Sequence, residues 1–265
     1  MNRNVLRWFV LVPVTEGLFF LAGLQLFSGL QPERQSAAPA PAPLDGLESI
    51  FVALDVETVA VPVERAGNGG ALVSIGNDLV VMTHEGRFFE VGGTEAMSLD
   101  IAPPPNGYDA MLAFAEANPE YQFENWYFRY NDVDLLGDLL IVSFTEWVAE
   151  DDCYRTTLAS APTGGASATD ISVAGSDWTP FFSTVPCLQP NTVGRAIQGH
   201  MAGGRFRLTE DGTVILASGD YAMDGTYNPV TLPQDPEALY GKVMEIDPED
   251  GAIRIISQGL SLIHI

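Results

Sequence analysis

Short apolar runs separated by Asn, Asp and Gly turn signals recur along most of this chain, and this pattern restricts its fold more than any other feature. Glycine tolerates the positive φ angles of tight hairpin turns, so such signals predict antiparallel strands. Three runs lie within residues 71–91, with turns at 76–78 and 84–86. Similar groups follow at 127–160 and 206–258. We therefore predict an all-β fold built from repeated strand meanders.

Repeated meanders are typical of a β-propeller, in which four-stranded blades surround an axis and the loops at one face form the site. A β-sandwich is the alternative that the same pattern allows. One short helix is predicted at Asp109–Ala117, with Asp109 as its cap and Asn118-Pro119 at its end. Residues 162–175 are rich in Gly, Ser, Thr and Ala and predict an exposed loop.

The N-terminus predicts export or membrane anchoring. Arg3 and Arg7 precede a mostly apolar segment, Trp8–Leu30, that is about long enough to span a bilayer. We assign residues 1–31 as a signal anchor or signal peptide and residues 32–47, which contain an Ala-Pro tract, as a linker. The rest would then lie on the periplasmic or extracellular side. An amphipathic start to a cytosolic protein is the alternative.

Charge and cysteine content narrow the function classes. The chain of 265 residues has 35 acidic and 12 basic residues, a formal net charge of −23. The electrostatic field of such a net charge repels nucleic acid, so neutral or cationic small molecules are the expected ligands. In an oxidising compartment, Cys153 and Cys187 predict a disulfide. A redox or metal pair is the weaker alternative, because there is no CxxC spacing.

His200 is the candidate general base. Counting outward from the turn at 210–212 places His200 opposite about residues 221–223, so Asp220 arrives at the same end of the sheet. An aspartate that accepts the second ring N–H would fix the tautomer of the imidazole and raise its basicity. A structural histidine is the alternative. Arg205 could hold a ligand carboxylate or pair with one of the many acids.

The other candidate residues are weaker. His84 lies in a predicted turn, where a solvated side chain is expected, and His264 lies in residues 261–265, which continue no pattern. The oxygens of Asp220, Asp224 and Asn228 could bind calcium, but their spacing is not that of a dedicated ion loop. No GxSxG, GxGxxG, Walker or HExxH pattern occurs.

Three stretches resemble the soluble quinoprotein glucose dehydrogenases, also called the glucose/sorbosone dehydrogenases. They are GHMAGGRFRLTEDGTVILASGD at 199–220, QDPEALYGKVMEIDPEDG at 234–251 and IISQGL at 255–260. The resemblance implies a six-bladed propeller that binds pyrroloquinoline quinone with calcium and oxidises aldose sugars at C1. His200 matches the family's general base, and Asp220 matches the aspartate that supports it.

Two departures from the family pattern matter. Met201 and Ala202 stand between His200 and the glycines, where well-known members have one residue. The family also continues into an Arg-Asn-Pro motif and further blades that hold the cofactor and its calcium. We therefore expect residues 48–260 to be about half of a propeller, and this chain to be a fragment with an unrelated tail.

Three functions are compatible with these residues. The first is an exported, membrane-tethered aldose dehydrogenase that acts on a small sugar, with an electron acceptor that the sequence does not identify. The second is a non-catalytic propeller that binds carbohydrate or serves in adhesion. The third is a lactonase-type propeller hydrolase with axial calcium, for which the sequence identifies no converging set of acids and amides.

Overall fold

This computed structural model describes residues 8–14, 56–65, 67, 69–93, 95–124, 127–164, 167–191, 196–226 and 228–259. The predicted linker at 32–47 and tail at 261–265, together with His264, lie outside these ranges. The described part is dominated by strands, so the prediction of an all-β chain is confirmed. The strands, in chain order, are β1 Trp8–Val14, β2 Val56–Pro62, β3 Gly70–Ile75, β4 Asp78–Thr83, β5 Phe88–Gly92, β6 Glu95–Ser98, β7 Asp100–Ile101, β8 Tyr130–Leu136, β9 Leu139–Val148, β10 Cys153–Pro162, β11 Ser172–Val173, β12 Thr179–Ser183, β13 Gly203–Leu208, β14 Val214–Ser218, β15 Lys242–Ile246 and β16 Ile253–Gln258.

Three four-stranded antiparallel sheets form the body of the described chain. The first sheet has the order β3-β4-β5-β6, the second β8-β9-β10-β12 and the third β13-β14-β15-β16. The tight turns between their strands contain Gly76, Gly137 and Gly212, each with a positive φ, as the turn signals predict. The described residues do not close into a ring of sheets.

The first strands of the three sheets lie side by side, with β8 between β3 and β13. Alternating apolar residues of the first and second sheets form one core, which includes Val80, Phe88 and Val142. The second and third sheets enclose another core, which includes Phe206 and Leu216. Because both faces of the second sheet are covered, its strands carry long runs of buried residues.

A ten-residue helix, α1, covers Tyr108–Ala117 close to the predicted position. It is preceded by Gly107 with φ 75° rather than capped by Asp109, which lies in the first turn. A Cβ at Gly107 would lie 2.4 Å from the carbonyl oxygen of Trp147, so the close packing of this turn requires glycine. Asn118 ends the helix by donating from its backbone N–H to the carbonyl of Phe114.

The N-terminal segment differs from the predicted membrane helix where it is described. Trp8–Val14 is the strand β1 and pairs in parallel with β2. Pro13 disfavours a continuous helix through this segment, and its three valines favour a strand. Residues 15–30 lie outside the described ranges. Within those ranges, no helix combines the length and apolar character needed to cross a bilayer.

The predicted disulfide between Cys153 and Cys187 is confirmed, with 5.6 Å between the two Cα atoms. It ties the start of β10 to the segment after β12, where Leu188 exchanges two backbone hydrogen bonds with Tyr154. Cys153 is fully buried. The bond therefore fixes the connection that leads from the second sheet toward the third.

Removing this bond should lower the free energy of unfolding substantially. The two cysteines are 34 residues apart, and closing a loop of this length is worth about 3 to 4 kcal/mol in the chain-entropy model. We expect a Cys153→Ala/Cys187→Ala variant to lose about that much in denaturant unfolding. Reductant should produce the same loss in the unmodified chain and none in the variant. A loss below about 1 kcal/mol would contradict this role.

Candidate functional site

The loop that carries His200 leads directly into β13. It begins with a 3₁₀ turn, Gly199–Met201, and ends at Gly203 and Gly204, which have φ values of 65° and 82°. The pairing of β13 with β14 shifts by one residue at this point. These two left-handed glycines produce the bulge that turns the chain from the loop into the strand.

Glycines also allow this loop to pack against neighbouring backbone. A Cβ at Gly199 would lie 1.7 Å from the carbonyl oxygen of Tyr127, and one at Gly219 would lie 1.8 Å from that of Met201. A Cβ at Gly204 would lie 2.8 Å from the side chain of Asn131. The position of His200 is therefore set by main-chain contacts with the start of β8 and the end of β14.

The backbone segments that carry His200 and Asp220 are neighbours. Gly219 donates its N–H to the carbonyl of Ala202 at 2.7 Å, and Tyr221 donates to that of Met201 at 3.3 Å. This is the register that counting outward from the hairpin turn predicts. The hairpin therefore places both residues at one end of the third sheet.

Their side chains, however, are not hydrogen-bonded to each other. Asp220 is fully buried, and its Oδ1 accepts the N–H of Ala222 at 2.9 Å. His200 is exposed. No hydrogen bond or ion pair between these two side chains occurs in the described part of the chain. The role of Asp220 as the direct orienter of His200 stays a prediction.

Two other residues contact His200 instead. The ring of Tyr127 lies against the imidazole, with 4.4 Å between the centroids and 32° between the planes. Arg129 donates from Nη2 to the carbonyl oxygen of His200 at 3.5 Å. Both residues come from the segment that leads into β8. The second sheet therefore supplies the inner wall of the His200 loop.

These contacts affect the protonation of His200. Partial burial on the Tyr127 side lowers the pKa of His200 below 6.5, and the nearby charge of Arg129 lowers it further. The carboxylate of Glu124 acts in the opposite direction. His200 is therefore neutral at pH 7 and can accept a proton at a ring nitrogen.

The expected solvated position of His84 is wrong. This residue directly follows β4, but only 2% of its surface is exposed. Burial lowers the pKa of His84 most and the charges of Arg65 and Arg129 lower it further, while Glu85 and a hydrogen bond with the backbone of Arg65 raise it. The carbonyl of His84 accepts the N–H of Tyr130. This backbone bond, rather than turn composition, holds His84 inside.

Arg205 lies away from the His200 contacts. Its Nη1 is 2.8 Å from Oδ1 of Asp132, and its Nη2 donates to the carbonyl of Gly70 at 3.1 Å. The side chain nevertheless stays 62% exposed. Arg205 thus pairs with an acid, as one of the two sequence-based alternatives stated. A position of Arg205 beside a substrate or cofactor stays a prediction.

The segment after Asp220 is held by two unusual features. Tyr221 and Ala222 adopt left-handed φ values of 52° and 63°, which non-glycine residues rarely do. The buried ammonium of Lys242 donates to backbone carbonyls of the following loop, those of Leu232, Pro233, Asp235 and Tyr240. This lysine thus fixes the loop that packs beside Tyr221.

Sequence reasoning missed Tyr127, Arg129 and Asp132. Their signal is positional, because each lies at or near the start of β8, as Gly203 and Arg205 lie at the start of β13. A comparison of equivalent positions among the three meanders could have identified them. For metals, no group of three or more His, Cys, Asp or Glu side chains comes together in the described ranges.

A Gly199→Ala substitution should displace the His200 loop. The added Cβ would meet the Tyr127 carbonyl oxygen at 1.7 Å, so the backbone must move. We expect a loss of about 1 to 3 kcal/mol in the free energy of unfolding, as for overpacked cores. Gly92→Ala is the matched control, since its Cβ would meet no atom within 4 Å. Equal stability of the two variants would contradict the packing described.

The pKa of His200 should respond in opposite directions to its two charged neighbours. In an NMR titration we expect a value below 6.5 in the unmodified chain. Arg129→Gln should raise this pKa, because it removes a positive charge, and Glu124→Gln should lower it. Shifts of the same sign in both variants would contradict the electrostatic arrangement.

Solved structures that resemble this chain include a distant neighbour. No protein-family model and no curated protein matches the sequence. A crystal structure from Thermus thermophilus, provisionally described as an oxidoreductase (glucose dehydrogenase), aligns at 14% identity with a TM-score of 0.43. The alignment covers 70% of this chain and 45% of that one, so this chain spans less than half the length of its neighbour.

Proposed function

We propose that this chain is part of an exported aldose dehydrogenase of the glucose/sorbosone type. The observation that carries the proposal is the His200 loop, in which an exposed imidazole with a lowered pKa stands at the end of a sheet. The sequence around it, residues 199–220, is also one of the three stretches that resemble the family. A neutral, accessible imidazole is what a general base requires.

The proposal includes a propeller architecture. Three four-stranded sheets whose first strands lie side by side are the arrangement expected of consecutive blades. In such an arrangement the loops before the first strands and those between the second and third strands share one face. His200 and Asp220 occupy these two kinds of loop in the third sheet.

The chemistry assigned to this chain is proton removal. His200 takes the proton of the C1 hydroxyl at a ring nitrogen while the C1–H bond breaks and the sugar becomes a lactone. Tyr127 packs against the ring, and partial burial together with the charge of Arg129 lowers the pKa of the imidazole, which favours its unprotonated form before substrate arrives. Asp220 supports the loop through its backbone contacts and the hydrogen bond to Ala222.

The proposed cofactor is pyrroloquinoline quinone, with Ca²⁺. The residues beside His200 fit an acidic quinone in one respect, since the guanidinium of Arg129 lies against the same loop. When bound, the quinone supplies the acceptor for the hydride that leaves C1. For calcium, the described ranges hold no cluster of three candidate side chains, so we assign no calcium ligand to this chain.

We further propose that the protein acts outside the cytoplasm, tethered by its N-terminal segment. The disulfide supports an oxidising compartment, because such bonds persist there and are rare in the cytosol. The large negative charge of the chain agrees with a neutral sugar as substrate, which it neither attracts nor repels.

Replacement of His200 should abolish sugar oxidation in the full-length protein that carries this chain. We expect His200→Gln to lower kcat/KM at least about 100-fold, as loss of a general base does. The measurement is aldose-dependent dye reduction with added quinone and Ca²⁺. The control is Arg254→Gln, which replaces an exposed arginine of β16 that pairs with Glu245 of β15, and it should keep full activity. Undiminished turnover in His200→Gln would exclude this residue as the base.

A second candidate is a carbohydrate-binding module without catalysis. The adjacent rings of Tyr127 and His200 favour it, because aromatic rings near the surface can pack against a sugar ring. Sugar binding that needs Tyr127, without dye reduction under any cofactor condition, would support this candidate. Dye reduction would exclude it.

A further inference from the structure

A cavity of about 420 Å³ lies between β2 and the first sheet, with residues of β8 and β13 on its far side. This volume falls within the range of roughly 300 to 1,000 Å³ that is typical of small-molecule sites. None of His200, Tyr127 and Asp220 lines the cavity. It is therefore a different place from the candidate site described above.

His84 provides the first sign that the cavity takes a ligand. Its side chain lines the cavity and is buried, and its Nε2 has no hydrogen-bond partner among the described residues. Buried polar atoms normally have partners, because an unmade hydrogen bond costs about 1 to 3 kcal/mol. The residue next to Nε2 is Gly67, where a Cβ would lie only 2.4 Å away. Gly67 therefore packs against the imidazole, and any larger residue at this position would clash with it.

Two arginines at the rim provide the second sign. Arg205 contacts Asp132 and the Gly70 carbonyl, and a guanidinium has five N–H donors, so these contacts use only part of its capacity. The side chain of Arg207 is 83% exposed, and its Nη1 lies 3.9 Å from Oδ2 of Asp134. An ion pair so exposed and so widely spaced is weak. Both side chains line the cavity.

Asp132 is the one acidic residue among the described residues that line the cavity, and both of its carboxylate oxygens already accept hydrogen bonds. Oδ1 of Asp132 accepts from Arg205 and from the N–H of Val133, and Oδ2 accepts from the N–H of Phe206. Three further charges act on His84: the carboxylate of Glu85, which has the largest effect of the three, and the guanidinium groups of Arg65 and Arg129. A Cβ at Gly69, another lining residue, would lie 3.4 Å from Nη1 of Arg129. Guanidinium groups therefore stand beside the cavity, although the chain as a whole is acidic.

Apart from Thr83 and the glycines, the rest of the lining is apolar and consists of Val61, Val63, Ala71, Leu72, Val81 and Met82. The side chain of Leu72 is 48% exposed. An apolar wall next to guanidinium donors matches a molecule with a hydrophobic body and an anionic head. Inorganic phosphate, sugar phosphates and free sugars lack that hydrophobic body.

We propose that this cavity binds a small carboxylate with an apolar body. The carboxylate lies between Arg205 and Arg207, the apolar body packs against Leu72 and the valines, and Nε2 of His84 forms a hydrogen bond with the bound molecule. Carboxylate and guanidinium can pair through two parallel hydrogen bonds, which gives both affinity and orientation. The site is independent of the sugar chemistry proposed for His200.

The test uses the full chain, labelled with ¹⁵N, and four probes: benzoate, hexanoate and the neutral amides of the same two acids. We expect the two carboxylates to shift the amide signals of Gly69, Gly70 and Leu72 in a saturable manner. They should also shift the side-chain nitrogen of His84. The amides, which match the acids in shape but lack the charge, should bind at least about tenfold more weakly.

Two exposed substitutions test the assignment without disturbing the core. Arg207→Ala should weaken benzoate binding about tenfold, and Leu72→Glu, which places a negative charge at the mouth, should abolish it. Arg254→Ala removes an arginine outside the cavity and should leave binding unchanged. His200→Gln should also leave it unchanged, which separates this site from the sugar site. Equal binding of acids and amides, shifts that map elsewhere, or no binding at all would overturn the proposal.

Discussion

The buried carboxylate of Asp132 is the contact on which the arrangement of the three sheets depends. Asp132 belongs to β8, yet it receives the N–H of Phe206 and the guanidinium of Arg205 from β13. Arg205 in turn donates to Gly70 at the start of β3. One ion pair therefore joins the first strands of all three sheets. Both oxygens of Asp132 accept hydrogen bonds from β13, so the start of β13, directly after the bulge at Gly203 and Gly204, is held against β8.

The bulge carries this constraint to His200. The two left-handed glycines at the start of β13 set the direction from which the chain enters the strand. The loop before them, which carries His200, therefore packs on Tyr127. The hairpin of β13 and β14 brings the backbone of Asp220 to the same place. It does not bring the two side chains together, since Asp220 turns inward to its own tight turn while His200 faces solvent. Backbone packing, rather than a side-chain hydrogen bond, positions the imidazole.

Local rules predicted much of this structure, and long-range contacts account for the rest. Turn glycines and apolar runs located most strands of the three sheets, although not β6, because each signal lies within a few residues of its effect. Helix-end signals located the short helix, and the presence of two cysteines in a chain predicted to be exported indicated the disulfide. The burial of His84 was missed, since it depends on the N–H of Tyr130, which is 46 positions later in the sequence. The parallel pairing of β11 with β7 inside a segment predicted to be a loop has the same origin. The side chains around His200 come from the second sheet, and no hairpin rule identifies them.

Electrostatics explains why two histidines near one arginine have different roles. Arg129 lowers the pKa of both His84 and His200, so both are neutral at pH 7, but only His200 is open to solvent. The net charge of −23 would repel an anion at long range. At physiological ionic strength, however, charges more than about 8 Å apart are largely screened. The guanidinium groups of Arg205 and Arg207 act at contact distance, where screening is weak, so they would attract the proposed carboxylate despite the net charge of the chain. The sign of the total charge therefore does not decide whether a chain like this one can hold a small anion against its first strands.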